Sequence, residues 1–318
     1  MIEPDSYLGF LDDDYLRSYI VQGGAAVKFV VHDDADDAQR FSGGLAERAT
    51  ADGYVVARVD AAEVRIHMMD KVFFDVARQI DWDGLAAAAV RDALAAAAYP
   101  VPDGHAEVTI ATIAAHYDVD PNELSRDVNR VLQKRIGRDF AMVSEFRTAM
   151  LRLCQAQLAT GQVTEAEHVA VLEWLRGDLR QMSLLRSALI FRRVGRHNAR
   201  QLLFSLAHWL SVNGAAGLLL ELDVRRLGFA RRPRPEERSG LYYTKASLLD
   251  AYELLRQLVD NTDELSHCCV IVQAAPEFLT DTNRGVDAYQ ALKLRIYDEI
   301  RDRRRDNPYS SLIRLGVA

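Results

Sequence analysis

The chain has 318 residues, of which 49% are hydrophobic and 27% are charged, the balance of a folded globular protein. A formal net charge of −7 argues against a protein whose whole surface contacts nucleic acid. The apolar runs are far shorter than the ~20 residues that cross a bilayer, and the opening residues do not form a secretory signal. We therefore expect a cytoplasmic protein without membrane contact.

The first part of the chain predicts a βαβ unit. A helix over 13–22 ends at Gly23-Gly24, and the apolar run 25–31 predicts a buried strand. After an acidic loop, a helix over 41–52 leads into a second strand over 54–60. Strand, helix and strand in this order favour a parallel sheet.

Residues 107–190 are predicted to be entirely helical. Two helices, over 110–116 and 122–136, are joined by a tight turn at 118–121 and resemble a helix-turn-helix. A pair of this kind can contact DNA, although most such patterns are simply packed helices. The segment therefore predicts a helical insertion with a possible role in nucleic-acid binding.

Two further apolar runs, 218–223 and 268–273, predict strands that resume the sheet. A helix over 245–260 lies between them, and a last helix is expected over 287–305. The predicted organisation is an N-terminal part of an α/β domain over 1–100, a helical insertion over 101–190 and the C-terminal part over 191–318.

Arginine is concentrated in two stretches of an otherwise acidic chain. The second lies within 301–305, and the first consists of Arg225, Arg226, Arg231, Arg232, Arg234 and Arg238. Local positive patches can contact phosphate groups or an acidic partner. Together with the helix pair they support an alternative function as a DNA-binding module, and a solvated surface is the simpler interpretation.

Seven short segments occur in a recognisable order along the chain. They are Gly23-Gly24 with 28–31, then 53–60, 217–223, 275–278, Arg284-Gly285, 289–295 and Asn307-Pro308. In order and spacing they resemble the ATP-binding proteins of bacterial BREX-type phage-defence systems, a P-loop family related to AAA+ and STAND ATPases. The resemblance implies a P-loop NTPase-like α/β fold, with a mostly parallel sheet, helices on both faces and an all-α insertion.

The resemblance also implies a glycine-rich phosphate loop after the first strand, and here the sequence departs from the family. Aligned on Phe41, Ala38 stands at the lysine position and Gln39 at the position of the magnesium-binding hydroxyl. No glycine occurs from 32 to 41. Carboxylates stand where a triphosphate would lie: Asp33, Asp34, Asp36 and Asp37. We therefore expect that ATP and magnesium do not bind in the ordinary mode.

The same four aspartates could be considered as hard oxygen ligands for calcium or magnesium. Their spacing lacks the glycine and the distal glutamate of a calcium loop. A solvated acidic loop is the favoured interpretation, and no metal site is predicted.

The second nucleotide motif is incomplete as well. The resemblance places Asp223 at the magnesium-organising aspartate, whereas Val224 occupies the position of the catalytic glutamate. Valine cannot accept a proton, so no catalytic residue is predicted. Asp223 could equally be a strand-end aspartate that caps the next turn. Glu221 lies on the same strand face as Asp223 and is the one alternative base.

Two arginines match positions where related ATPases contact the nucleotide of a neighbouring subunit. The resemblance implies that Arg284 or Arg295 acts in trans on an active subunit, and surface ion pairing is the alternative.

The sequence thus predicts a catalytically inactive P-loop ATPase homologue that acts as a protein-binding or regulatory subunit in a prokaryotic phage-defence system. The expected partner is an active P-loop ATPase paralogue or a second copy of this chain. A DNA-binding module is the alternative, and a residual ATPase is less favoured.

Overall fold

The computed structural model describes residues 1–102, 108–229, 240–297 and 307–316. The chain divides into two compact units. The sheet unit comprises Met1–Val76 and Leu210–Ala318, and the helical unit comprises Ala77–Trp209. The helical unit therefore begins and ends well outside the predicted insertion at 101–190, because helices that precede and follow that range belong to it.

The sheet unit is built on five strands. They are β1 (Ala25–His32), β2 (Tyr54–Asp60), β3 (Gly217–Asp223), β4 (Cys268–Ala274) and β5 (Leu312–Leu315). Their order across the sheet is β2-β3-β4-β1-β5, and each neighbouring pair is parallel. This confirms the predicted α/β fold with a parallel sheet, and it is consistent with a P-loop NTPase-like architecture.

The three strands inside the sheet, β3, β4 and β1, have apolar sequences that suit a buried position. Every residue of β1 and of β4 is buried, as expected for a parallel strand that is covered on both faces. The edge strands differ, since β2 and β5 each alternate between buried and exposed positions. The apolar content of each strand therefore decides whether it lies inside the sheet or at its edge.

Helices surround the sheet and form the second unit. They are α1 (Pro4–Phe10), α2 (Ala35–Ala51), α3 (Met69–Arg78), α4 (Trp82–Ala96), α5 (Ile110–Tyr117), α6 (Pro121–Leu132), α7 (Ser144–Gln157), α8 (Glu165–Arg176), α9 (Ala199–Val212), α10 (Lys245–Asp260), α11 (Glu277–Thr280) and α12 (Gln290–Ile296). A π-helical segment, Leu11–Ile20, continues α1. Within the described ranges, none of the helices combines the length and apolar character needed to cross a membrane.

Both faces of the sheet are covered. On one face, α1 and α2 contribute Tyr7 and Phe41 to a core that includes Val30 of β1. On the other face, Phe29 stacks on Phe278 of α11 with ring centroids 5.9 Å apart. Tyr252 of α10 meets the same ring edge-on at 5.8 Å. The arrangement fixes the carboxyl ends of the strands between two helical layers.

The helical unit contains the predicted helix pair. Helices α5 and α6 are separated by three residues, and the first of these, Asp118, adopts a left-handed conformation that ends α5. Asp120 caps α6 by accepting from the backbone N–H of Asn122 at 2.8 Å and of Glu123 at 3.0 Å. Pro121 occupies the first turn, where its missing N–H costs nothing.

Four local features differ from the predictions. The acidic stretch after β1 is not a loop, because Asp34 caps a helix that begins at Ala35 rather than at Phe41. The first helix begins at Pro4, where the Glu3 side chain accepts from two backbone N–H groups. The short strand β5 was not predicted. The predicted final helix is reduced to α12, and its predicted continuation falls on 298–306, outside the described residues.

We expect Leu220→Ala in β3 to lower the free energy of unfolding of the sheet unit by about 2–5 kcal/mol. Leu220 is fully buried in a strand with neighbours on both sides, so the truncation leaves a cavity. The measurement is urea-induced unfolding. Leu294→Ala, at a position that is 70% exposed, is the matched control and should cost less than about 0.5 kcal/mol. Equal losses in the two variants would contradict the placement of β3.

Candidate functional site

The link between β1 and α2 is only two residues long, Asp33 and Asp34. A carboxylate oxygen of Asp34 accepts from the backbone N–H of Asp37 at 2.7 Å. The start of a helix offers unsatisfied N–H groups and a partial positive charge, which is why anions bind there. In this chain, a carboxylate of the protein itself occupies that position.

The four predicted phosphate-loop positions all lie in the first turns of α2. Ala38 is fully buried and faces the core, whereas Gln39 and Asp36 are exposed. Asp37 is partly buried and forms an ion pair with Arg40. None of these side chains is a phosphate-binding cation, and a lysine at position 38 would be directed into the core.

The residues of the second predicted motif lie at the end of β3. Asp223 receives a forked contact from Arg225, whose Nε lies 3.0 Å from both carboxylate oxygens. The backbone N–H of Arg225 also donates to Asp223 at 3.1 Å. The hydrogen bond with Asp223 raises the pKa of Arg225. Val224 is 2% exposed and donates its N–H to the Gln273 carbonyl at 2.9 Å.

Glu221, the alternative catalytic base, is 3% exposed and lies between the sheet and α2. One carboxylate oxygen accepts from the Ser42 hydroxyl at 2.5 Å and from the Gln273 amide at 2.7 Å. The other accepts from Arg58 Nε at 3.1 Å. Burial raises the pKa of Glu221, and these hydrogen bonds partly oppose the rise. With both oxygens engaged in a closed contact, Glu221 fits a structural anchor better than a base.

A cavity of about 570 Å³ opens at the carboxyl edge of the sheet, the position where open α/β sheets bind ligands. Half of the residues that line it are charged. The carboxylates are Asp33, Asp34, Asp60, Asp223 and Glu277, and the arginines are Arg225 and Arg226.

Both arginines are held by the surrounding protein. Arg225 is paired with Asp223 as described above, and Arg226 donates from Nε to the Leu241 carbonyl at 2.7 Å. The Arg226 guanidinium also lies over the Phe229 ring, 4.4 Å from its centroid. The unopposed charge in the cavity is therefore negative.

His32 is the one neutral titratable side chain among the charged walls of this cavity. It is 1% exposed, and neither ring nitrogen has a hydrogen-bond partner. Its ring lies 5.2 Å from that of Phe41. Burial lowers the pKa of His32 to about 4, and the nearby Arg225 charge contributes in the same direction. A buried, neutral imidazole without a partner is an unusual feature, because buried polar groups are normally bonded.

The predicted trans-acting arginines have partners within the chain. Arg284 is 7% exposed and donates to the carbonyls of Leu227 at 3.0 Å and Tyr243 at 2.8 Å. Arg295 on α12 pairs with Asp260 at 3.1 Å. A role in trans stays a prediction, and the placement of Arg284 does not favour it. The predicted nucleic-acid contacts Arg231, Arg232, Arg234 and Arg238 lie outside the described residues.

Sequence reasoning placed Arg225 in a basic stretch but missed its pairing with Asp223, and it missed the burial of His32 and the partners of Glu221. One signal was present, since a single polar residue interrupts each apolar strand at Arg58, Glu221 and Gln273. In the observed register Arg58 lies beside Glu221. Within the described part of the chain, no three His, Cys, Asp or Glu side chains are arranged to hold a metal ion.

Replacing His32 with Phe should reduce the acid sensitivity of the fold. The unfolded imidazole titrates near 6.5 and the folded one near 4, so the unfolded state binds the proton first as the pH falls between them. Stability supplied by the neutral ring is complete above pH 6.5 and is lost toward pH 4. The loss should be on the order of 2–3 kcal/mol.

The measurement is urea unfolding of the wild type and His32→Phe between pH 7 and pH 4.5. The difference between the two curves should change with pH, and other titrating groups cancel in it. His197→Phe, at an exposed position, should follow the wild type. Parallel curves for wild type and His32→Phe would show that His32 is not held neutral.

Comparison with known proteins gives one match. A family model described as "BREX system ATP-binding protein BrxC/D" matches residues 16–317. No curated protein and no solved structure matches the chain. The matched range contains every strand of the sheet, the two-residue link before α2 and the complete helical unit. The chain therefore belongs to the family of BREX system ATP-binding proteins.

Proposed function

We propose that this chain is a nucleotide-free member of its family and acts as a protein-binding or regulatory subunit of a phage-defence system. The family description names ATP binding. The observation that carries the proposal is the start of α2, where the Asp34 carboxylate occupies the place that a phosphate group would take. A two-residue link without glycine also supplies no loop to surround a triphosphate.

The energetics support the loss of ordinary nucleotide binding. A charge-assisted contact such as that of the missing lysine contributes roughly 1.5–3 kcal/mol. Each carboxylate close to a phosphate opposes binding by about 1–4 kcal/mol at a separation of 4 Å, depending on solvent exposure. Asp33 and Asp34 both line the cavity. Together these terms are comparable with or larger than the whole binding energy of a millimolar ligand, which is about 4 kcal/mol.

The residues of β3 and its end also argue against catalysis. The position expected to carry the base holds the buried Val224, and Asp223 is neutralised by Arg225. Glu221 is enclosed by Ser42 and Gln273. These contacts support an inactive subunit, because the groups that would bind magnesium and activate water are missing or already engaged.

The proposed partner is an active P-loop ATPase of the same defence system or a second copy of this chain. We infer that the sheet is retained because it binds another protein, since a chain that binds no nucleotide does not need the fold for nucleotide exchange. Co-purification with the intact ATPases of the system tests the first possibility, and sedimentation of the isolated chain tests the second.

Calorimetric titration with ATP and magnesium should give no saturable heat up to about 1 mM on the whole chain. Thermal unfolding should be unchanged by the same additions, since a ligand that binds only the folded state raises the melting temperature. An intact P-loop member of the family, measured in the same buffer, is the positive control.

Ala38→Lys with Gln39→Ser provides a variant test of the same point. It introduces the two missing side chains but leaves the buried direction of position 38, the two-residue link and the Asp34 cap, so we expect it also to bind no ATP. A cooperative thermal unfolding transition of the variant must first show that it folds. Micromolar binding by the wild type would overturn the proposal. Binding by the variant alone would show that the side chains, and not the link, prevent it.

DNA binding is a second candidate, favoured by the exposed side chains along α6. Asn122, Arg126 and Arg130 are all exposed on this helix, although Arg130 pairs with Asp127 at 2.7 Å. The preceding turn is as short as a helix-turn-helix requires. The mixed charge of α6 makes the observation weaker than the one that supports a protein-binding subunit.

If α6 binds duplex DNA, affinity should fall steeply with salt, because phosphate contacts release counterions. Arg126→Glu with Arg130→Glu should then lower the affinity at least ten-fold in a fluorescence-anisotropy titration. Arg91→Glu, at an exposed position on α4, is the matched control. The same substitution at Arg231 and Arg234 tests the predicted arginine stretch. The absence of salt-dependent binding in the wild type would exclude this function.

A further inference from the structure

The cavity at the carboxyl edge of the sheet lacks the groups of a phosphate site, but it is still open to a ligand. Five carboxylates and two guanidinium groups line it, and both guanidinium groups are bonded to neighbouring protein groups. Glu277 is exposed, and Asp33 forms a long ion pair with Arg314 at 3.9 Å, in which both side chains are about half exposed. A ligand that enters this space meets an excess of negative charge.

His32 supplies a second and independent indication of a ligand. Its imidazole is 99% buried and neither nitrogen has a partner, although the residue lines the cavity. A neutral imidazole has one nitrogen that accepts a hydrogen bond and one that donates. Leaving such groups unbonded costs about 1–3 kcal/mol. A bound donor would recover that energy if the ring turned to present a nitrogen to the cavity.

We propose that this cavity binds the side chain of an arginine from a partner protein, with its guanidinium between the Asp33 and Asp34 carboxylates and the His32 ring. The inference rests on the proposed function, because a bound nucleotide would fill the same space. The carboxylates of this chain then take the part that phosphate oxygens take in an active ATPase.

The chemistry of the walls favours a guanidinium over other cations. The described residues provide no metal-binding group of three side chains, so a metal ion is not the expected occupant. A guanidinium is planar and has five N–H donors, and it can contact two carboxylates and an imidazole acceptor together. A lysine ammonium is more strongly hydrated and acts as a point charge, which makes it a poorer match for neighbouring acceptors.

The test uses the whole chain with N-acetyl-arginine amide as the probe, followed by NMR of histidine-labelled protein. We expect a saturable shift of the His32 ring resonances at millimolar probe. N-acetyl-citrulline amide, which has nearly the same shape without the charge, should cause no saturable shift. N-acetyl-lysine amide should bind at least ten-fold more weakly than the arginine compound.

Asp33→Asn with Asp34→Asn should weaken arginine-amide binding at least ten-fold. Asparagine caps a helix about as well as aspartate, so α2 should keep its start, and an unchanged melting temperature checks this. Should the double variant fail to fold, the comparison between the arginine and citrulline compounds on the wild type decides alone. Equal binding of these two compounds, or an unshifted His32 during saturable binding, would overturn the inference.

Two further outcomes separate the inference from its alternatives. Dimerisation of the wild type that the double asparagine variant abolishes would support the inference and identify the partner as a second copy of this chain. Absence of arginine-amide binding, in a chain that also binds no ATP, would overturn this inference alone. ATP binding would instead overturn the proposed function.

Discussion

A carboxylate buried in the middle of the sheet unit is the constraint on which the surrounding structure depends. Glu221 can remain under α2 only because Ser42, Arg58 and Gln273 supply donors from α2 and from the strands on either side of β3. An unpaired buried charge would cost several kcal/mol, so each donor has to stay where it is. The network therefore ties α2 to the sheet through Ser42, and the Asp34 cap sets where the helix begins.

That position of α2 determines the charge of the neighbouring cavity. The chain passes from β1 into the helix through Asp33 and Asp34, and these carboxylates are placed at the opening by the same geometry that buries Ala38. An active P-loop surrounds its anion with backbone N–H groups. In this chain, the capping carboxylate satisfies one of those groups internally, and the cavity becomes acidic as a result.

Much of the fold could be predicted from the sequence, because continuous apolar runs identify central parallel strands. β5 could not, since four residues at a sheet edge give too short a pattern. The acidic run after β1 was misread because Asp34 is both a typical loop residue and a good helix cap. The proposed loss of the phosphate-loop residues rests on the sequence itself, at Ala38 and Gln39. The cavity could not be predicted, because the residues that line it with His32 come from elements far apart in sequence.

The pairing of strands has a consequence for how the chain is made. β1 and β2 are synthesised early, but β1 pairs with Cys268–Ala274 and Leu312–Leu315, and β2 pairs with a strand that follows the whole helical unit. Non-local parallel pairing is slow to form, and unpaired apolar strands are prone to aggregate. The nascent chain must therefore carry two unpaired strands while the helical unit is translated, an interval in which aggregation competes with folding.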